Sequence, residues 1–230
     1  MTSRFLGHLP CPKCGSKDNL GDYDDHQFCF GCGYRLIKGD VKSLRARLNY
    51  RSNSQEIAEE IQDISVVKDI PPPAMRWLYS YGISRSEIDL YIPGYNLDRD
   101  LLILYKDTNY WQARSFQGHK TKYLSMGIKP LIKYGDSNKV VLVEDILSAL
   151  KLGRVLCGRP LLGTSIPKLL VPILKGYSTV YVWLDRDKAT LAIQHKRYLQ
   201  ELGINAKVII SPKDPKEYTT EELKEWLKEN

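Results

Sequence analysis

The sequence predicts an α+β protein in two parts. A small N-terminal β-rich ribbon is built around cysteines, and a larger domain follows that ends in an α/β parallel sheet. Three observations predict this. Four of the five cysteines form two CxxC steps within the first 32 residues. From residue 139 onward, short β-branched runs alternate with helical stretches, the rhythm of a parallel sheet with crossover helices. Between the two lie a charged run (42–51), a polar stretch (52–55) and the triple proline Pro71–Pro73, which removes three amide donors and stiffens the chain. The expected boundaries are 1–45 for the ribbon, 46–70 for a linker, 71–138 for a basic segment and 139–230 for the parallel-sheet part.

Composition bounds the rest. At about 100–200 residues per domain, 230 residues allow one large domain or two modest ones. With 43% hydrophobic and 27% charged residues, wholesale disorder is excluded. No apolar run approaches the ~20 residues needed to cross a bilayer, and the N-terminus lacks a signal-peptide core. A soluble, cytoplasmic protein with no membrane partner is therefore expected. The net charge of +7 points to a polyanionic partner. Five cysteines are too few for a disulfide scaffold of this length.

Each element has its own justification. Cys11-Pro-Lys-Cys14 and Cys29-Phe-Gly-Cys32, 14 residues apart, read as two knuckles on adjoining hairpins. Together they close a four-thiolate zinc site, structural because no coordination position stays open. A redox pair or unpaired thiols are the competing reading. Gly15 and Gly33 suit the knuckle turns, and His8 and His26 are spare. Phe28 and Phe30, near Asp24 and His26, either stack on unpaired bases or fill the ribbon's core. From Ala74 the spacing is helical, with Trp77, Leu78 and Tyr81 on one face; Gly82 stops the helix and Ser84 caps the next. The runs 101–105 and 110–116 read as strands. Val140–Val143 reads as a strand buried on both faces, followed by a helix over Asp145–Leu152. Val155–Cys157 with Leu161–Leu162 reads as a short strand, with Cys157 in the core, and Pro167–Lys175 as a helix. Thr179–Leu184, Asp187–Leu202, Ala206–Ile210 and Thr219–Lys228 read as strand, helix, strand and helix.

Acids follow the strands. Glu144 and Asp145 come directly after one, and Asp185 and Asp187 after another. Ligands of parallel sheets sit at the carboxyl ends of strands. Clustered acids there call for a hard divalent cation such as Mg²⁺, and so for phosphoryl transfer or phosphodiester cleavage. A solvated turn is the plainer reading of an Asp-x-Asp step. Asp214, after a third strand, is either another acid at that edge or a cap of the last helix. Residues 101–139 carry seven Lys or Arg, among them Arg114, Lys120 and Lys122, against two Asp, with Trp111, Phe116, Tyr123 and Tyr134 between them. That pattern suits a groove for single-stranded nucleic acid or triphosphates, or else a solvated sheet face.

Taken together, these motifs resemble DnaG-type replicative primases and the primase halves of phage primase–helicases, over nearly the whole chain and in the same order. CPKC and CFGC, with Asp24-Asp25-His26-Gln27-Phe28 before the third cysteine, are similar to a phage primase zinc-binding domain; the resemblance implies that His26 and Asp24 help to read template. WQARSF and KYLSMGIKPLIKYG are similar to the basic part of the polymerase domain, implying that Arg114 and Lys122, with Lys120 beside them, handle template or nucleotide phosphates. VVLVEDILSALKLG resembles the first motif of a TOPRIM subdomain, with Glu144 as its acid. PLLGTS resembles the phosphate-side turn, with Gly163, Thr164 and Ser165. WLDRDKA supplies Asp185 and Asp187, and KDPKE maps Asp214 onto the first acid of the last motif. Four positions depart: Asp145 stands where the family has glycine, Ser148 where it has an acid, Thr190 where it has glycine, and Lys216 where it has an acid.

The resemblance implies a stand-alone DNA primase in phage DNA replication, acting in the host cytoplasm, with a separate replicative helicase because no helicase follows Asn230. The zinc would be structural. Mg²⁺, with Mn²⁺ as a substitute, would be held by Glu144, Asp185 and Asp187, with Asp145 and Asp214 beside them. Single-stranded DNA and ribonucleoside triphosphates would be the substrates. A TOPRIM nuclease and a non-catalytic single-stranded-DNA-binding or recruiting module are the alternatives.

Overall fold

The computed structural model describes residues 3–38, 64–116 and 122–229. Most of the expected linker, the charged run 42–51 and Lys120 lie outside the described residues. The chain divides into two compact units, 1–59 and 60–230.

The first unit is an antiparallel meander of β1 (Phe5–Leu9), β2 (Leu20–Tyr23), β3 (His26–Cys29) and β4 (Arg35–Ile37). Its core is minute. Cys11, Leu20 and Cys29 are buried, with Cys14, Cys32 and Tyr34 packed on them. Sulfur occupies the place that leucine and valine fill in larger domains, so the ribbon depends on whatever the thiolates hold.

The second unit opens with α1 (Pro72–Ser80) and α2 (Arg85–Tyr91). Ser84 caps α2 and Glu87 returns the bond, a reciprocal box at the point where Gly82 stops α1. An antiparallel sheet follows, of β5 (Gly94–Asn96), β6 (Leu101–Lys106), β7 (Tyr110–Ser115) and β8 (Tyr123–Gly127), in that order. Then come β9 (Lys139–Val143), α3 (Ile146–Leu152), β10 (Cys157–Pro160), α4 (Leu170–Leu174), β11 (Thr179–Val182), α5 (Ala189–Glu201), β12 (Ala206–Val208) and α6 (Thr220–Glu229). Their four strands form a parallel sheet of order β10-β9-β11-β12. No helix among the described residues is long and apolar enough to cross a membrane.

One apolar core joins the two sheets of this unit. Leu102, Leu104 and Tyr110 share it with Val141, Val143 and Trp183. A second core, with Val140, Leu142, Val180 and Val182, lies on the other face of the parallel sheet. Burial on both faces explains why these strands read as unbroken apolar runs. Cys157 is fully buried.

Several elements differ from the sequence expectation. Val155 and Leu156 continue the turn after α3, because their amides bond back to the Leu152 carbonyl, so the strand begins only at Cys157. The helix expected from Pro167 begins at Leu170, after a turn in which Leu170 N donates to the Pro167 carbonyl. Residues Arg186–Lys188 form a 3₁₀ turn ahead of α5. Asp214 does not cap the last helix: it caps the 3₁₀ turn Pro215–Glu217, and Thr219 serves α6 by accepting from Glu222 N.

Candidate active site and metal centre

The two knuckles of the first unit are built alike. Gly15 N donates to the Cys11 carbonyl and Gly33 N to the Cys29 carbonyl, both glycines at φ +70°. A left-handed residue is needed there, and glycine adopts it without strain. Cys11 N bonds the Ser16 carbonyl, and Cys29 N that of Tyr34. The four sulfurs lie within 4.8 Å of one another. Cys11 Sγ is 3.6 Å from Cys32 Sγ, and Cys14 Sγ is 3.7 Å from Cys29 Sγ. Tetrahedral zinc with Zn–S bonds of ~2.3 Å would set sulfurs ~3.8 Å apart. The donor set thus fits zinc closed by four thiolates.

Strand pairing sets Tyr23, His26 and Phe28 on one sheet face. Gly21 faces Phe28 across the β2–β3 pair, and a Cβ added at Gly21 would meet the rings of Phe30 and Tyr23. Tyr23 stacks on His26 at 4.5 Å, nearly parallel, and Phe28 meets Phe30 edge-on at 5.2 Å. Phe30 is 52% exposed, and neither phenylalanine belongs to the cysteine core, so they do not fill it. His26 Nδ1 pairs with Asp25. Asp24 is occupied locally: its carboxylate accepts from Arg4 N at 3.0 Å and its own amide donates to the Arg4 carbonyl.

In the second unit, the acids gather where the parallel strands end. Glu144 directly follows β9, Asp185 follows β11 by two buried residues, and Asp214 follows β12 through a braced loop. The brace is Trp183, whose Nε1 donates to Ser211 Oγ at 2.7 Å while Ser211 Oγ donates to the Lys213 carbonyl. Glu144 Oε1 accepts from Asp185 N at 3.0 Å. Burial and then the Asp185 charge push the Glu144 carboxyl up to about 7. Burial and then the Asp214 charge push Asp185 up to about 6. Two half-buried carboxylates at adjacent strand ends, each raised by burial and by a neighbouring acid, are the donor chemistry a hard divalent cation relieves. Asp187, mostly exposed, is turned to Lys188 Nζ at 2.6 Å. Among the described residues, only the cysteines bring three or more ligand atoms within 4.8 Å, so Glu144, Asp185 and Asp187 are neighbours that do not close on one point.

Asp145, Ser148 and Lys216 meet one another. Asp145 caps α3, accepting from Ser148 N at 3.0 Å and Ser148 Oγ at 2.8 Å. Lys216 Nζ donates at 3.0 Å to Asp145 Oδ2 and at 3.0 Å to Asp214 Oδ2. Burial alone would pull Lys216 down; the two carboxylates outweigh it and hold its ammonium well above the ordinary lysine range. Lys151, on the helix that Asp145 caps, donates at 2.7 Å to the Lys216 carbonyl.

Beside this edge stands a basic and aromatic wall. Arg114 on β7 lies 4.4 Å from the Trp77 ring, 5.3 Å from Tyr123 and 5.5 Å from Phe116. Its buried Nε has no hydrogen-bond partner among the described residues. Tyr123, the cross-strand partner of Arg114, feels the charges of Asp145 and Lys216, which ties the wall to the acids. Lys122 is exposed at the start of β8. Gly163 N donates to the Glu144 carbonyl, and the Thr164 carbonyl contacts His195 Nε2 at 2.6 Å, so the 163–165 turn sits at the same strand edge. The sequence reading missed Lys151, Lys188 and Trp77; only Lys188 carried a signal, its place in the Asp-x-Asp-Lys step.

No protein-family model matches the chain, and no curated protein matches it. Among solved structures, the chain is similar to the crystal structure of the primase fragment of the bacteriophage T7 primase-helicase protein. The match covers 98% of this chain and 98% of that one, at 16% sequence identity and a TM-score of 0.45.

Proposed function

We propose that the protein is a DNA primase that joins ribonucleotides on a single-stranded DNA template. The observation that carries this reading is the meeting, in one unit, of half-buried strand-end carboxylates, Glu144 bonded to the Asp185 amide, with a guanidinium–aromatic wall. Carboxylates alone would suit any cation-dependent phosphodiester chemistry. The wall adds stacking surface for bases and positive charge for phosphates, which a template and an incoming triphosphate both require. The order of the sequence motifs supports the same reading.

In this reading the 3′-hydroxyl of one ribonucleotide attacks the α-phosphorus of the next. A P–O bond forms, the bond to the β-phosphate oxygen breaks, pyrophosphate leaves, and the hydroxyl proton passes to water. Glu144, Asp185 and Asp187 would hold Mg²⁺, which when bound neutralises charge on the transferring phosphoryl group. Arg114, lying against its rings, supplies positive charge for a phosphate at the wall. Gly163, Thr164 and Ser165 border the same edge and Lys122 lies at the start of the wall. The ribbon's ring face, with His26 among it, engages unpaired template bases. Asp24, fixed to Arg4, shapes that face from its backbone bonds.

The test is an end-labelled single-stranded DNA incubated with the full chain, four ribonucleotides and Mg²⁺. Short RNA from the unaltered protein, absent with Asp185→Ala, is expected. Shortened DNA would replace this reading with a nuclease. Bound but unchanged DNA, with no RNA, would replace it with a non-catalytic binding module.

A further inference from the structure

We propose that Lys216 is a built-in cation standing in for a second metal ion, so that this site takes one divalent cation and not two. The proposal rests on the cation-binding half of the reading above.

The ammonium sits between two carboxylates from different elements, Asp145 ahead of α3 and Asp214 after β12, 3.0 Å from an oxygen of each. A divalent cation at that point would be bound at ~2.1 Å, so each oxygen would need to close in by only ~0.9 Å. The place is therefore shaped for a cation and already holds one that cannot leave. Lys216 is fixed at both ends: its carbonyl accepts from Lys151, and its side chain is 12% exposed. The acids are fixed too. Asp145 is pinned by both bonds to Ser148, and Asp214 is held at its backbone, its amide donating to Glu217 Oε2 and its carbonyl accepting from Glu217 N. With Asp145 and Asp214 bonded to Lys216, Glu144 and Asp185 are the pair that no ammonium among the described residues bonds directly, Lys188 Nζ being taken by Asp187.

The trio also balances as chemistry. Ser148 stands where a carboxylate would add a further negative charge, and it donates to Asp145 instead. One ammonium then faces two carboxylates, leaving a net charge of about −1 that the neighbouring cation can share. Lys216 and its two acids are positioning residues: they fix the charge of the site and leave ligation to Glu144, Asp185 and Asp187.

The test counts Mn²⁺ on the zinc-loaded full chain, reading unbound Mn²⁺ by electron paramagnetic resonance. One Mn²⁺ per chain is expected for the unaltered protein and none for Asp185→Asn. Two are expected for Lys216→Ala and for the bulk-preserving Lys216→Met. Adding Asp145→Asn to Lys216→Ala should return the count to one, which a merely loosened fold would not do. Two Mn²⁺ on the unaltered protein, none at all, or no gain in folded Lys216 variants would overturn the proposal. These counts do not depend on RNA synthesis: with the expected counts and no RNA, the primase reading fails and this inference stands.

Discussion

Arg154 Nε donates to Glu87 Oε1 and Nη2 to Glu87 Oε2, each at 2.7 Å; Nη2 also reaches the Gly82 carbonyl and Nη1 the Thr220 hydroxyl. One guanidinium thus ties the end of α1, the start of α2 and the start of α6 to the turn after α3. Burial would raise the Glu87 carboxyl, but the Arg154 and Ser84 bonds outweigh it and hold it below the usual range. A carboxyl lowered in the folded state stabilises above its unfolded pKa of ~4.3, and that contribution is lost as pH falls through the folded value. Arg154→Met should therefore cost roughly 2–3 kcal/mol at pH 7 and markedly less near pH 3, read from urea midpoints. An equal cost at both pH values would remove the ion pair from the account. At this scale the sequence shows residues singly. Asp145, Ser148 and Lys216 each stand out, and they read as carboxylates gained and lost. Their pairing spans 71 residues between Asp145 and Lys216, and no local pattern encodes it.

Elements pack through their smallest residues. A Cβ added at Gly158 on β10 would lie 2.0 Å from the Ala149 carbonyl oxygen of α3. Gly158 also exchanges both backbone bonds with Tyr134. Gly158→Ala must push helix or strand away, and should cost about 2–3 kcal/mol or more, lowering the melting temperature by roughly 5–10 °C. An unchanged melting temperature would contradict this packing. The buried strands β9 and β11 were legible because burial on both faces demands continuous apolar residues. The helix face of Trp77 and the Ser84 cap were legible because 3.6-residue spacing and cap chemistry are local. β5 and β8 were not. β5 has three residues, and β8 is a largely exposed edge without alternation, held by its pairing with β7. The 3₁₀ turns at Arg186–Lys188 and Pro215–Glu217 escaped for a related reason: a single turn has no periodicity to read.

At the scale of the whole chain, two units divide the chemistry. The first carries the four thiolates and the ring face; the second carries the acids, the Lys216 bridge and the Arg114 wall. The thiolate quartet was the most legible feature of all, since CxxC spacing fixes two ligands per knuckle before any fold is considered. The acid edge was legible in membership, from residues that follow apolar strands, and illegible in charge balance, because the balancing lysine arrives from the far end of the sequence. Circular single-stranded DNA of mixed sequence offers no end to extend, so RNA made on it must be started afresh. Zinc-loaded protein, four labelled ribonucleotides and Mg²⁺ are added, beside Asp185→Asn. Short labelled RNA started without a primer is expected, reduced on the order of 100-fold or more in the variant. No RNA from the unaltered protein, equal RNA from the variant, or a circle cut to linear DNA would contradict the primase reading.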